Sequence, residues 1–514
     1  MKKLLTLVLA LTMLLTLSLP VFAQAGAANS ITIKIPVYDR GFEGWNVTDN
    51  YYTQWIQKEF GDPNGINVQF VAITRSAEVQ DYMQMLAAGT APDIVFHYDM
   101  PQAVAYQAEG AIQPLNLDEL KEYAPTYYER TIGMVEQYGE LDGETYFFFA
   151  KRPDAYNWLT LIREDWCEAV GKPLPTTLAE LNELVLLWRD AGLGYLNHQL
   201  VKDNYTYSYP FRAWPNDDKE HALYSELGVA DFTWAATHDY LKNLNYQYNA
   251  GVIDPEFYLC VDTNEAMSWF VSGRAGTYSL YLASASPVIS SLLANFPDAK
   301  LATLDPRSGS PNDGYSMERG YWPFGMIMGI NASTNDATRV AVWKYLEWML
   351  QDGNLFKLEN GVEGENYTVA ENGLAIATPD FAGASVLSAN KNKDMWCLWE
   401  ESAAYPTQEL QEVANLINWA PVGYEQLILD SKKFFEEMAP YRVPDALFTT
   451  AVTTVAEYKA DLNTLWQELY VKCVMASEAD FEKVYEESCK VFLESGYQAI
   501  LDQKAELYDA GKVK

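Results

Sequence analysis

The sequence predicts an α/β protein made of two successive strand-containing units and a helical C-terminal region. Three observations carry this prediction. Strand and helix patterns alternate as β-α-β-α-β between residues 31 and 96, a second strand-rich unit opens near residue 141, and from Tyr424 onward the pattern is almost wholly helical.

The first residues read as a leader rather than as fold. Lys2 and Lys3 precede a charge-free run over residues 4–19, Pro20 breaks it, and Val21-Phe22-Ala23 or Ala23-Gln24-Ala25 supplies small residues at cleavage spacing. A run of that length approaches a membrane span, but the break and the small-residue site favour cleavage, so residues 1–23 are expected to be removed and the chain secreted. No Cys precedes Cys167, which leaves no residue for a thioether-linked lipid anchor. The five cysteines, at 167, 260, 397, 473 and 489, have no C-x-x-C spacing and read as buried small hydrophobes.

Residues 31–37 alternate apolar and polar side chains as a half-buried strand does, and a loop over residues 39–50 follows. Tyr52, Trp55, Ile56 and Phe60 then recur at helical spacing until Gly61-Asp62-Pro63-Asn64-Gly65, which is expected to stop the helix. A second strand is expected over 66–71. Ser76 is the expected N-cap of a helix carrying Val79, Tyr82, Met83 and Leu86 on one face, and Gly89 its close. The run 93–96 is a short buried strand, and the series implies a parallel sheet with right-handed crossovers. In such sheets ligands sit beyond the carboxyl ends of the strands.

The second unit begins with a turn at Asp142-Gly143 feeding the apolar run 146–149. Further strands are expected at 158–163, 276–281, 301–304 and 325–330, and Thr177-Leu178-Ala179-Glu180 is a capping box that starts a helix. Another helix places Val340, Trp343, Leu346 and Leu350 on one face. The chain has no internal repeat and no low-complexity tether.

A net charge of -34, or -36 without Lys2 and Lys3, repels nucleic acid and anionic lipid. The sequence has 15 Trp, 35 Tyr and 21 Phe, enough flat rings to fill a core and still stack on sugar faces. Gly-x-Ser-x-Gly is absent, the four His (97, 198, 221, 238) stand near no recognisable nucleophile motif, and neither metal-ligand spacing nor a phosphate-cradling Gly loop occurs. No cofactor, catalytic residue or metal is therefore expected.

Several ordered segments resemble the family 1 extracellular solute-binding proteins of carbohydrate ABC importers, especially the long LplA-like receptors. They are residues 88–95 (Ala-Gly-Thr-Ala-Pro-Asp-Ile-Val), 110–115 (Gly-Ala-Ile-Gln-Pro-Leu), 141–146, 161–166, 251–257, 343–348 and 361–367. The resemblance covers nearly the whole chain after the leader. It implies a periplasmic-binding-protein-like type II fold, with two α/β lobes closing around a ligand in the cleft between them. The lobes would comprise 24–150 with 305–350, and 151–304 with 351–514 including the helical tail. It also implies a monomeric receptor that hands a carbohydrate, an oligosaccharide, to the importer's membrane subunits, with no nucleic-acid partner and no turnover. Some relatives carry an Asp-x-Asp-x-Asp-Gly calcium loop after the helix that starts near Thr177; residues 190–220 here contain none, so no calcium is expected there.

On that fold, the loops leaving strand ends supply the candidate ligand residues: Asp39, Arg40 and Trp45 after the first strand, Tyr98 and Asp99 after the third, and Arg152 at the first crossing between lobes. Trp214 lies in an aromatic loop between prolines, Tyr281 ends a strand, and Arg319 and Trp322 precede the strand at 325–330. Rings would stack on sugar faces and charged forks would bond hydroxyls. Two alternatives share this composition: a secreted glycoside hydrolase, which needs two carboxylates about 5 to 10 Å apart across the scissile bond, and a receptor for a non-sugar solute such as a peptide.

Overall fold

The computed structural model describes residues 31–41, 43–152, 158–197, 217–225, 229, 231–260, 262–309, 318–351, 353–377, 398–399 and 405–514. The leader at 1–23 and Trp214 lie outside the described residues, as does the side chain of Arg319.

The first body opens with β1 (Ile31–Asp39) and β2 (Ile66–Thr74), parallel and in register from Ile31↔Ile66 to Asp39↔Thr74. β3 (Ile94–His97), β4 (Ile112–Gln113), the hairpin β5 (Glu140–Leu141) and β6 (Glu144–Thr145), and β7 (Phe148–Lys151) follow. Asp142, at the hairpin turn, takes a positive φ of 52° beside Gly143, a conformation that short acidic and amide side chains tolerate.

The second body holds β8 (Trp158–Arg163), β9 (Thr277–Tyr281) and β10 (Leu301–Thr303), with β8 central and antiparallel to both neighbours. The chain then returns through β11 (Glu318–Gly320) to β12 (Phe324–Asn331), a fully buried strand. β12 runs antiparallel to β3, β4 and β7, and these four strands form the first sheet, antiparallel throughout, alongside the parallel pair of β1 and β2. The expected parallel pairing holds for β1 and β2 but not for β3, which pairs with β12, a strand that arrives from the second body rather than by a helical crossover. A small hairpin, β13 (Tyr367–Val369) and β14 (Ala375–Ala377), and β15 (Arg442–Pro444), which pairs with β11, complete the strands.

Asp93 explains why the segment at 88–95 ends as it does. Its buried carboxylate accepts the backbone N–H of Lys34 at 2.6 Å and the hydroxyl of Thr334 at 2.7 Å, and its backbone N–H donates to the Lys34 carbonyl at 2.9 Å. The amide of Asn331 donates to the Pro92 carbonyl at 2.9 Å. These bonds join β1 to β3 and to the end of β12, where ladder bonds alone would leave buried polar groups unsatisfied.

Other local expectations shift by a turn. The first helix, capped by Asn50 with Thr53, runs through Gly61 as a π turn and on through Pro63, ending at the left-handed Gly65. Ser76 is not an N-cap: it lies inside a 3₁₀ turn, Arg75–Ala77, and the helix Glu78–Ala88 begins after it. Thr177 and Glu180 do form the capping box of the helix Leu178–Asp190.

The first core joins β1, β3, β7 and β12 to the helix Asp336–Met349, and Leu358, Leu398 and Trp399 pack into it. A second packs Leu159, Leu161 and Leu280 against Trp419, Leu427 and Ile428 of the helices Gln408–Trp419 and Glu425–Glu437. A third gathers Phe232, Trp466, Tyr470 and Phe492, joining the helix Ala235–Asn249 to the long helix Thr453–Val474 and its successors. Among the described residues no helix is long and apolar enough to cross a membrane.

Candidate functional site

Register fixes which strand ends share an edge. β12 starts at Phe324 opposite Lys151 and reaches His97 at Ile327, so the carboxyl ends of β3 and β7 and the amino end of β12 lie together. β1 and β2 end in step at Asp39 and Thr74. The first crossing leaves this edge at Lys151 and enters β8 at Trp158, which pairs with Tyr281 at the end of β9. The second crossing leaves β10 at Thr303 and returns to the same edge at Phe324. The connections thus join one edge of the first sheet to one end of the second.

On the first edge, three side chains converge on Glu78. Arg75 Nη1 donates to its Oε1 at 2.5 Å, His97 Nε2 stands 3.2 Å from the same oxygen, and the Tyr38 hydroxyl donates to Oε2. The backbone N–H of Asp99 donates to His97 Nδ1 at 2.9 Å, so that nitrogen is the acceptor and the ring proton sits on Nε2, toward Glu78. Burial opposes the charged form of Glu78, yet the donors His97, Arg75 and Tyr38 outweigh it and hold the carboxyl below its ordinary range. The position at the first turn of a helix favours the same charge.

The rings around this carboxylate are ordered. Tyr38 stacks on Tyr98 with centroids 6.2 Å apart and planes 23° from parallel, and meets Phe96 edge-on at 4.9 Å. The Arg75 guanidinium lies 5.0 Å from the Tyr38 centroid and 5.8 Å from that of Tyr98, and Arg40 lies 5.4 Å from Tyr38. Asp39 accepts the backbone N–H of Gly41 at 2.9 Å, Trp45 is partly buried against the first core, and Asp99 is exposed ahead of the helix Met100–Ala108.

At the crossing, Trp158 and Tyr281 face each other with centroids 4.3 Å apart and planes at 30°, and Tyr281 is 53% exposed. The indole N–H of Trp158 donates to the Tyr321 hydroxyl oxygen at 2.7 Å, and the Arg152 guanidinium covers the Tyr321 ring at 5.0 Å. The Arg152 backbone N–H donates to the Pro323 carbonyl, pinning the crossing to the start of β12.

Of the sequence candidates, Asp39, Arg40, Tyr98 and Asp99 come together on the first edge, and Arg152 and Tyr281 at the crossing. Trp322, partly buried against the first core, lies edge-on to Tyr138 at 4.9 Å and parallel to Phe324. The backbone of Arg319 pairs with Val443 in the β11–β15 ladder.

Sequence reasoning missed Tyr38, Arg75, Glu78 and Trp158. Ending the second strand at 71 hides Arg75, which directly follows its true last residue, Thr74. Searching only carboxyl ends hides Trp158, because in an antiparallel strand the amino end reaches the same edge. Among the described residues no cluster of side chains suits a metal.

No family model and no curated protein matches the sequence. Solved structures do match the fold. The alginate-binding protein AlgQ2 aligns at a TM-score of 0.62 and 18% identity, over 94% of this chain and 98% of its own. An HMO-binding, ABC-transporter-associated solute-binding protein of Bifidobacterium longum infantis aligns at 0.65 and 14%, over 95% and 100%. The FusA substrate-binding protein of S. pneumoniae, in complex with kestose, aligns at 0.59 and 15%, over 94% and 100%. The chain has the two-lobed α/β fold of these solute-binding proteins, with a helical C-terminal region.

Proposed function

We propose that this chain is an extracytoplasmic solute-binding protein that captures a carbohydrate, an oligosaccharide, between its two lobes and delivers it to an ABC importer, without chemically changing it. The observation that carries the reading is the half-exposed Tyr281 ring, held against Trp158 where the crossing enters the second sheet. A fixed, partly exposed aromatic plane suits the C–H face of a sugar ring, while Arg152, Asp39, Arg40 and Asp99 offer donors and acceptors to hydroxyls. The fold neighbours support the same reading, since their descriptions name alginate, HMO and kestose. Tyr98 belongs to the same proposed ligand set. Closure of the lobes would then report occupancy to the importer's membrane subunits.

The test is a thermal-shift screen of the purified chain against neutral and acidic oligosaccharides, peptides and metal ions, followed by calorimetry on the hits. A sugar that raises the melting temperature and is recovered intact by mass spectrometry supports the reading. Stabilisation by peptides alone would overturn the choice of solute, and cleaved product would show a hydrolase.

A further inference from the structure

The Glu78 cluster says something about the charge of the ligand. Arg75 begins directly where β2 ends, its side chain is 40% exposed, and the rings of Tyr38 and Tyr98 lie beside its guanidinium plane. One nitrogen of the fork is bound to Glu78. Such a guanidinium is pre-oriented, because ring and carboxylate fix its plane before any ligand arrives.

Arg75 and Glu78 are opposite charges in direct contact. Glu78 is ionised and 11% exposed, Arg75 is its counter-ion, and His97 Nε2 stands 3.2 Å from the same carboxylate. A hydroxyl can accept from the Arg75 fork without disturbing this balance. A ligand carboxylate or sulfate would have to compete with Glu78 for the same cation, and would meet the field of a chain with net charge -34.

We infer that Arg75 is a ligand-contacting donor and that Glu78, by neutralising and positioning it, selects uncharged sugars over acidic ones. The inference rests on the carbohydrate reading above and names the class of sugar within it. Glu78 acts here as a positioning residue.

The experiment is isothermal titration of the full chain with kestose, maltotetraose, cellotetraose and mannotriose, set against oligomers of mannuronate and of galacturonate, at low and high salt. Neutral sugars are expected to bind at least about tenfold more tightly than acidic ones of equal length. In Glu78→Gln the site gains a positive charge, so the ratio of neutral to acidic affinity should fall by about tenfold or more, an effect that high salt weakens. Arg75→Gln keeps Glu78 bonded to Tyr38 and His97, and should weaken neutral binding by about tenfold. It serves as the second variant if Glu78→Gln fails to fold.

A wild-type preference for the uronate oligomers overturns the inference while leaving the carbohydrate reading intact. So does an equal loss for both sugar classes in Glu78→Gln, which is what a purely structural role would give, or unchanged neutral binding in Arg75→Gln. No binding of any sugar overturns the carbohydrate reading itself, and this inference with it.

Discussion

Trp158 opens the second sheet, and its indole N–H is bonded at 2.7 Å to the hydroxyl of Tyr321, which stands just before β12 of the first. One hydrogen bond therefore spans the connection between the two sheets, beside the exposed ring of Tyr281. Replacing Tyr321 by Phe removes the acceptor and should destabilise the fold by about 1 kcal/mol, read as a shift in urea midpoint with an unchanged slope. A changed slope would mean that more than the bond was lost.

Tyr281 is the substitution that separates binding from folding. Its ring is half exposed, so Tyr281→Ala should leave the melting temperature close to wild type and weaken oligosaccharide binding by about 1 to 3 kcal/mol, by analogy with stacking on nucleobases. Calorimetry and thermal denaturation on the same preparation check this. Full affinity in the variant would remove the ring from the site.

Asp231 offers a pH signature far from the site. It is fully buried among the C-terminal helices, and burial pushes its carboxyl up from 3.8 to about 6, against the bonds from the Thr233 N–H and hydroxyl and the charge of Lys504. Because the folded state holds this proton more tightly than the unfolded state, the contribution is complete below about pH 4 and is lost as pH rises through about 6. The loss amounts to about 3 kcal/mol across that window. In Asp231→Asn this pH-dependent term should vanish, so the wild-type-minus-variant stability from urea titrations at pH 4, 5, 6 and 7 should slope downward. A flat difference would show that the carboxyl titrates normally.

Glu119 anchors the helix Asp336–Met349 to the helix Leu117–Tyr123. Its oxygens accept Arg339 Nε at 2.7 Å and Nη2 at 2.8 Å, and Trp343 Nε1 at 2.9 Å. Glu119→Ala leaves a mostly buried guanidinium and an indole N–H without that acceptor, and should cost about 3 kcal/mol. Chemical denaturation reads the loss, and sugar affinity at a temperature where the variant is folded should be unaffected.

Strand patterns in the first 100 residues were legible because apolar periodicity and glycine stops report local structure directly. Thr177 and Glu180 are legible for the same reason: a capping box is written within four residues. What the sequence could not show is non-local. Nothing near Phe324 states that its strand will lie antiparallel between β3 and β7, and nothing near Trp158 states that the amino end of β8 faces the crossing. The Glu78 cluster draws its members from β1, β3 and the turn after β2, and no spacing rule links them. Trp322 and Tyr321 are neighbours in sequence yet face different partners, a distinction set by packing against Tyr138 and Phe324 rather than by residue type.

The place of β12 in the first sheet also sets an order of assembly. All strands of the second sheet have been made by residue 303, whereas the first sheet lacks the strand that β3, β4 and β7 all pair with until residue 331. Until then β3 and β7 present unpaired backbone edges, the kind of surface on which nascent chains aggregate. Joining them requires closure over a long stretch of chain, which is slow. Of these two sheets, the one whose strands are made first is therefore the one completed last.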